Sequence, residues 1–528
     1  MEKFQRDPSM QKPGYYEQEE FQNRLRKLEE IQQLGIDPYP PTFSPENTAQ
    51  QLHTKWLDKK AGNSEEAEEA KTEKTSVAGR LVLFRGMGKN AFAQLQDETG
   101  RIQVMFNKNT TCVDGFQPSG EMSSLKFLEK KIDLGDFLGV EGYLFHTHKG
   151  ELTLYAHRVK ILCKSLLPLP DKHSGLADKG VRYRKRWLDL IANPDVVHTF
   201  VMRSRILELT RSYFHRLGFM EVETPVLQNT YGGASAKPFV THLHALDQEM
   251  FLRISLEIPL KKLIAGGLLK VFEMGKVFRN EGIDRTHNPE FTELEAYAAY
   301  WDYNDMMRLV ENLFEELALK LFNTTQLTFQ KEAEEITIDL KAPWKRLSMK
   351  DSLLTYAKIN VDQMSEKELS DYLIKNTALD PKELQKASKG ALIAHAFEEF
   401  VEEHLIQPHH IIDHPIETTP LCKLHRNPKL KQERFVERFE TFILGSEFCN
   451  SYTELNDPIL QRELLEAQAE KRAAGDEEAS PLDEEFLESI CQGIPNTGGM
   501  GMDRLVMLLT KATSIRDVLF FPIMRPEE

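Results

Sequence analysis

Residues 271–303, VFEMGKVFRNEGIDRTHNPEFTELEAYAAYWDY, constrain the fold more tightly than any other stretch of the chain. Side chains alternate across a strand with period two. Phe272, Met274 and Phe278 therefore share one face of a first run, and Glu273, Gly275, Val277 and Arg279 the other. In a second run Leu294, Ala296 and Ala298 face one way, while Phe291, Glu293, Glu295 and Tyr297 face the other. The loop between them carries Glu281, Asp284, Arg285, His287 and Asn288, with Gly282 and Asn288-Pro289 as turn formers. The pattern predicts two sheet strands with their apolar side under helices. Their open side would present a cation, an aromatic ring and two carboxylates, which an ordinary solvated hairpin does not need.

Two further clusters carry chemistry. In RFETFILGSEFCNSYTELNDP (438–458), Glu440 and Glu447 flank a turn at Gly445-Ser446, so both could reach one hard cation such as Mg²⁺. Surface acids are common, and spacing alone leaves that reading open. Asn450, Tyr452 and Glu454 share a face, whereas Glu447 has the opposite parity, so a bulge is required for all four to line one pocket. In GIPNTGGMGMDRLVMLL, Gly498, Gly499 and Gly501 predict a glycine-rich turn that lets backbone approach a ligand, and Asp503-Arg504 opens an apolar helix. An arginine there suits a phosphate. Arginines with carboxylates suggest ATP chemistry, yet there is no GxxxxGK[ST] loop and no kinase HRD/DFG pair.

The rest of the chain sets these clusters in context. Its 528 residues allow about three or four domains. Phe21, Leu25, Leu28 and Ile31 predict a charged helix over 15–35, stopped by DPYPP, and residues 57–75 read as a charge-rich exposed helix end or mobile connector. From 76 to about 167, VAGRLVLFR, FAQLQDETGRIQVMF, DFLGVEGYLFHT and LTLYAHRVKIL alternate as short strands, which points to a small barrel, an OB-fold foremost. After the linker LPLPDKH (167–173) an α+β region runs over 168–528. It opens with a helix bearing Ile206, Leu209, Tyr213 and Leu217 on one stripe, ended by Gly218. Residues 345–410 read as a helical insertion without recognisable chemistry.

Composition narrows the setting. The five cysteines form no CxxC pair, which fits a reducing cytoplasm. No apolar run approaches the roughly 18 residues of a membrane span, and the N-terminus lacks an apolar signal core. The net charge of −15 confines any nucleic-acid contact to local patches.

Taken together, the helix and strand ending in Pro225, FRNEG…HNPEFTELEAY and GGMGMDRLVMLL resemble the three motifs of the class II aminoacyl-tRNA synthetases, and among these the bacterial-type lysyl enzymes. The likeness covers nearly the whole chain, and the HIGH and KMSKS elements of the class I lysyl enzymes are absent. It implies an α+β protein: an N-terminal segment (1–75), an anticodon-binding OB-fold (76–167) and a catalytic domain (168–528) with a mainly antiparallel sheet flanked by helices. It further implies ATP, L-lysine and tRNA(Lys) as substrates, Mg²⁺ as cofactor, and a cytoplasmic homodimer away from membranes.

Carried over by position, the resemblance assigns Arg279 to the ATP α-phosphate, Arg504 to the γ-phosphate, Phe291 to the adenine ring, and Glu281, His287 and Asn288 to ATP placement. Glu440 and Glu447 become Mg²⁺ ligands. Gly233 and Glu257 match the α-amino positions, Asn450 and Arg279 those of the carboxylate, and Glu295, Tyr297, Tyr452 and Glu454 the side-chain pocket. A buried ε-ammonium needs a carboxylate, and Glu454 beside Tyr297 is the best placed. An aspartyl enzyme would need a cation at the pocket base instead. In the barrel, Arg85, Phe92 and Gln103 match positions that read a U-rich anticodon, with Phe92 stacking on a base. Spacing alone makes Phe92 a barrel-core residue; the resemblance reverses that reading. A protein-modifying lysine ligase would lack the barrel, a non-catalytic RNA-binding relative would not need Arg279, Glu440, Glu447 and Arg504, and an aspartyl or asparaginyl specificity is opposed by Glu454.

Overall fold

The first periodic stretch folds as α1 (Glu19–Gln33), with Phe21, Leu28 and Ile31 buried. Arg24 is buried with them, because its guanidinium reaches the carbonyls of Leu134 at 3.0 Å and Leu167 at 3.2 Å. Within the charge-rich segment read as a helix end or connector, Asn63 caps a short helix, α2 (Ser64–Glu68). Ala67, its one apolar residue, is buried against Met105, Phe145 and Tyr155. In this computed structural model the chain divides into two compact units, Met1–Val197 and His198–Glu528. The residues described are 13–58, 62–69, 72–120, 122–170, 176–331, 334–473, 475, 478–502 and 504–526. The first twelve residues of the N-terminus, part of the linker at 171–173, and Asp503 lie outside them.

The predicted barrel forms from β1 (Lys74–Met87), β2 (Asn90–Gln96), β3 (Arg101–Asn107), β4 (Phe137–His146) and β5 (Leu152–Cys163). They pair in the order β3-β2-β1-β4-β5, and β3 closes the ring by pairing parallel with β5. Ala91, Ala93, Leu95, Ile102, Val104 and Phe106 fill the interior. Period two then places Phe92, Gln94 and Gln103 outside. Phe92 is thus an outer-face residue packed beside Met105 and Tyr155, not part of the barrel interior that spacing suggested.

The second unit is built on an eight-stranded sheet. Its approach is α3 (Pro194–Arg216) and a two-residue strand, β6 (Met220–Glu221), shorter than the strand to Pro225 expected from sequence. Ile206, Leu209 and Tyr213 are buried as predicted, but Phe214 takes the place of Leu217, which lies past the last helical turn where Gly218 adopts φ +80°. Next come α4 (Glu257–Ala265), β7 (Lys270–Phe278), β8 (Glu290–Ala299) and α5 (Tyr303–Phe322). The helical insertion, with α6 (Glu366–Asn376) and α7 (Lys389–Phe400), is framed by β9 (Lys345–Ser348) and β10 (His409–Pro415) and has its own apolar core. The chain ends with β11 (Phe435–Ile443), β12 (Ser446–Thr453), α8 (Pro458–Ala473), α9 (Glu484–Gly493), β13 (Thr497–Met502) and α10 (Leu505–Thr510).

Strand order is β9-β10-β11-β12-β13-β8-β7-β6, antiparallel except at the outer pairs β9–β10 and β7–β6. Phe272, Leu294, Ala296 and Ala298 pack under α3 and α5, the helix-covered side predicted for this hairpin. The opposite side is not simply open: Val271, Val277, Phe291 and Tyr297 lie in a second core beneath α4, α8 and α9. The glycine-rich stretch is a correction. Residues 497–502 are not a turn but β13, paired on both edges, between β8 and β12.

Candidate active site

One cavity of about 550 Å³ opens between that second face of the sheet and the helices above it. It gathers Gly233, Glu257, Arg279, Glu281, His287, Asn288, Phe291, Glu295, Glu440, Glu447, Asn450, Tyr452 and Arg504 from widely separated parts of the chain. Tyr297 and Glu454 lie beneath its lining, 2% and 1% exposed. Arg85, Phe92 and Gln103 are on the barrel in the other unit, where Arg85 pairs with Phe92 across β1–β2 and Gln103 donates to the Thr153 hydroxyl at 2.8 Å.

Local structure explains these placements. β7 and β8 pair in continuous register from Lys270↔Ala298 to Phe278↔Glu290, so Glu295 on β8 faces the cavity and Arg279 emerges where β7 ends. The bulge that parity demanded is present. Thr441 pairs with Cys449 and Phe442 with Glu447, leaving Phe448 as the extra residue and turning Glu447 to the side of Asn450. Gly233 at φ +88° runs against Glu257, whose Cβ would lie 2.9 Å from an added methyl. Gly499 is needed for a similar reason, since a Cβ there would run into the Glu454 carboxylate and the Tyr297 ring.

At one end of the cavity the groups suit an anion and an aromatic ring. The Arg279 guanidinium lies 5.1 Å over the Phe291 ring, donates to the Ile254 carbonyl at 3.1 Å and faces Glu293 at 3.5 Å. Arg504 is the N-cap residue of α10; it donates to the Glu447 carbonyl at 2.9 Å, and its buried Nε has no hydrogen-bond partner. Asn288 donates to the Glu290 carbonyl at 2.6 Å and leaves Oδ1 buried and unpartnered. His287 is half-exposed against Asp284 at 2.8 Å, and Glu281 stands exposed at the rim.

Glu440 and Glu447 supply hard oxygens beside this end, one of them held by Arg438 at 2.6 Å. Among the described residues no cluster of three or more His, Cys, Asp or Glu could hold a metal alone. That donor set fits Mg²⁺, which binds one or two carboxylates and takes its other oxygens from substrate phosphates and water.

The other end is rich in buried carboxylates. Glu295 accepts from the Leu256 amide and the Tyr297 hydroxyl, both at 2.8 Å. The Tyr452 hydroxyl donates to Glu257 at 2.7 Å. Glu454 keeps Oε1 buried without a hydrogen-bond partner. Burial first, then the neighbouring carboxylates, push Glu295 well above the ordinary range, and burial drives Glu454 the same way against the pull of Lys261. Asn450 turns its carbonyl oxygen to Arg438 at 3.0 Å, which leaves its amide NH₂ to the cavity.

Three groups have roles that the sequence reading did not assign, although it had put Glu293 on the same strand face as Glu295. Glu293 partners Arg279 and Arg438 anchors both Glu440 and Asn450, each readable only once the strands are paired. Lys261 is the third, an ammonium at the pocket floor between Glu257 and Glu454. Its signal was available, since it follows Glu257 by one helical turn. The floor therefore does hold a cation, the feature expected of an aspartyl enzyme, but two carboxylates outnumber it.

Residues 178–525 match the family of tRNA synthetases class II (D, K and N), and residues 75–162 match the OB-fold nucleic acid binding domain. The lysine–tRNA ligase of Chlamydia caviae is 55% identical over 522 residues, covering 98% of this chain and 99% of that protein. Those of Nostoc punctiforme and Staphylococcus epidermidis are 46% and 44% identical, covering 96% of this chain and 87% and 98% of theirs. By sequence along nearly its whole length, the chain belongs to the class II tRNA synthetases, in the branch of the bacterial lysyl enzymes.

Proposed function

We propose that the cavity joins L-lysine to ATP as lysyl-adenylate and passes lysine to the 3′ end of tRNA(Lys), the reaction of a lysine–tRNA ligase. The chain is an aminoacyl-tRNA synthetase, an ATP-dependent ligase. One observation carries the choice of amino acid: the deep end of the cavity buries three carboxylates, Glu257, Glu295 and Glu454, with one ammonium, Lys261, which pairs with Glu257 and Glu454. Such a floor attracts a substrate with two ammonium groups and repels an acidic side chain.

In this reading Gly233 and Glu257 receive the α-ammonium, and Glu295, Tyr297, Tyr452 and Glu454 surround the ε-ammonium. Asn450 and Arg279 hold the carboxylate. Phe291 stacks on adenine, Glu281, His287 and Asn288 place the nucleotide, and Arg504 binds the γ-phosphate. One carboxylate oxygen attacks the α-phosphorus in line, Arg279 spreads the charge that develops there, and pyrophosphate leaves. The terminal ribose hydroxyl of the tRNA then attacks the adenylate carbonyl and AMP departs. Glu440 and Glu447 would hold Mg²⁺, which supplies charge neutralisation on the phosphates. No covalent enzyme intermediate is needed.

Arg85, Phe92 and Gln103 on the barrel read the anticodon. The homodimer in this reading rests on the likeness to the class II synthetases. No helix among the described residues is long and apolar enough to cross a membrane. We assign the enzyme to the cytoplasm on its likeness to translation enzymes.

Amino-acid-dependent ATP–pyrophosphate exchange across the twenty amino acids, followed by tRNA charging, tests the whole reading. Lysine alone should support rapid exchange and charge tRNA. Exchange with aspartate and none with lysine would overturn the substrate, and lysine exchange without charging would favour a ligase acting on protein.

A further inference from the structure

Lys261 lies one helical turn beyond Glu257 on α4, so both side chains rise on the same face. Its ammonium sits 2.5 Å from Glu257 Oε1 and against Glu454 Oε2. Only 2% of the residue is exposed, and the rings of Tyr452 and Phe486 close over it, each centroid 5.6 Å from Nζ. A charge sealed this deeply persists only with partners. Here the partners come from two separate elements: Glu257 lines the substrate cavity and Glu454 lies just beneath that lining.

Counting the remaining charges gives the arrangement its meaning. Glu293 faces Arg279 at 3.5 Å and Glu440 faces Arg438 at 2.6 Å, so those four groups balance in pairs. The floor is left with Glu257, Glu295 and Glu454 against Lys261. Glu295 is satisfied by neutral donors, the Leu256 amide and Tyr297 hydroxyl. With substrate ammonium groups in place and all three carboxylates ionised, the floor carries two more negative than positive charges. Without Lys261 the excess would be three in one sealed space, where like charges cannot all stay ionised.

We propose that Lys261 is a resident counter-cation of the amino-acid pocket, a positioning residue that holds Glu257 and Glu454 towards each other and sets the floor's excess charge at the two units a diamine carries. The inference rests on the lysine reading of the cavity and deepens it. Substrate ammonium groups turn to the oxygens that Lys261 does not hold, Glu257 Oε2 and the buried, unpartnered Glu454 Oε1. Lys261 and the substrate therefore act together and do not compete.

Lys261→Met, uncharged and of similar length, tests this in lysine-dependent ATP–pyrophosphate exchange. The expected result is a lysine KM raised at least thirtyfold with the ATP KM within threefold of wild type. A space-filling role would lower the thermal midpoint while keeping the lysine KM, and a plug competing with substrate would give a lower lysine KM. Either outcome overturns the proposal. Glu257→Gln/Lys261→Met removes one carboxylate with the cation and restores the excess of two. It should bind lysine no worse than Lys261→Met alone, even though Glu257→Gln by itself weakens lysine, whereas simple addition of the two losses counts against the proposal. If Lys261→Met does not fold, recovery of soluble, exchange-competent protein by the double variant supports the charge argument, and its insolubility overturns it. Failure of the lysine reading itself would show separately, as wild-type protein without lysine-dependent exchange.

Discussion

At the scale of single residues, the proposed identity of the amino acid rests on Glu454. Its Oε1 is buried without a hydrogen-bond partner while its other oxygen faces Lys261. Removing one partner of a buried charge pair typically costs about 3–5 kcal/mol. Glu454→Gln should therefore raise the lysine KM by a hundredfold or more and leave the ATP KM within threefold, measured by exchange. Equal loss of both would show that the ammonium end of the pocket lies elsewhere. The residue types here were legible before any coordinates, because a cationic side chain needs a carboxylate and period two put Glu454 with Asn450 and Tyr452. Lys261 was not read, because a lysine four residues from a glutamate on a helix is ordinarily a solvated pair. Only the packing of Tyr452 and Phe486 over it turns that pair into part of the floor.

Elements decide whether such residues can meet. The need for a bulge near Glu447 followed from parity alone, and β12 supplies it at Phe448. The glycine-rich segment misled for a physical reason: glycines signal a turn when the chain is viewed alone, but here they make room on a central strand. Gly499→Ala would drive a methyl into the buried Glu454 carboxylate and Tyr297 ring. Overpacking of this kind costs about 1–3 kcal/mol, so the thermal midpoint should fall and the lysine KM should rise about tenfold. Gly501→Ala should cost less, because its methyl would meet Glu293 Oε1 only at 3.6 Å and Glu295 Cγ at 3.7 Å. Equal penalties in the two variants would remove the steric argument. On β10, His414 is sealed and uses Nε2 towards the Ile411 carbonyl at 2.9 Å. Burial lowers its pKa from 6.5 to about 4. The unfolded chain then binds the extra proton between those values, so stability is full above pH 6.5 and declines as pH falls towards 4, by about 3 kcal/mol. Denaturant titrations of His414→Gln should show a shallower acid limb in that window; an unchanged slope would assign the limb to other groups.

Across the whole molecule, the proposed function divides chemistry and tRNA selection between two folded units. The cavity is lined from the second, whereas Arg85, Phe92 and Gln103 lie on the barrel of the first. With a net charge of −15 the protein as a whole repels a polyanion, so recognition must come from local contacts, base stacking and hydrogen bonding among them. Phe92 is well made for that. Its ring is on the outer face, supported from below by Met105 and Tyr155 but not sealed in the barrel interior. Stacking of one base on an aromatic ring is worth about 1–3 kcal/mol. Phe92→Ala should thus reduce kcat/KM for tRNA charging by roughly five- to a hundredfold while lysine-dependent exchange stays at wild-type rate. Because Phe92 also packs on Met105, Phe92→Leu is the necessary companion: it keeps most of the apolar contact and loses the flat face. If both variants impair charging alike and spare exchange, the ring reads the anticodon. If Leu restores charging, or exchange falls in step with it, Phe92 supports the barrel and the base must stack elsewhere.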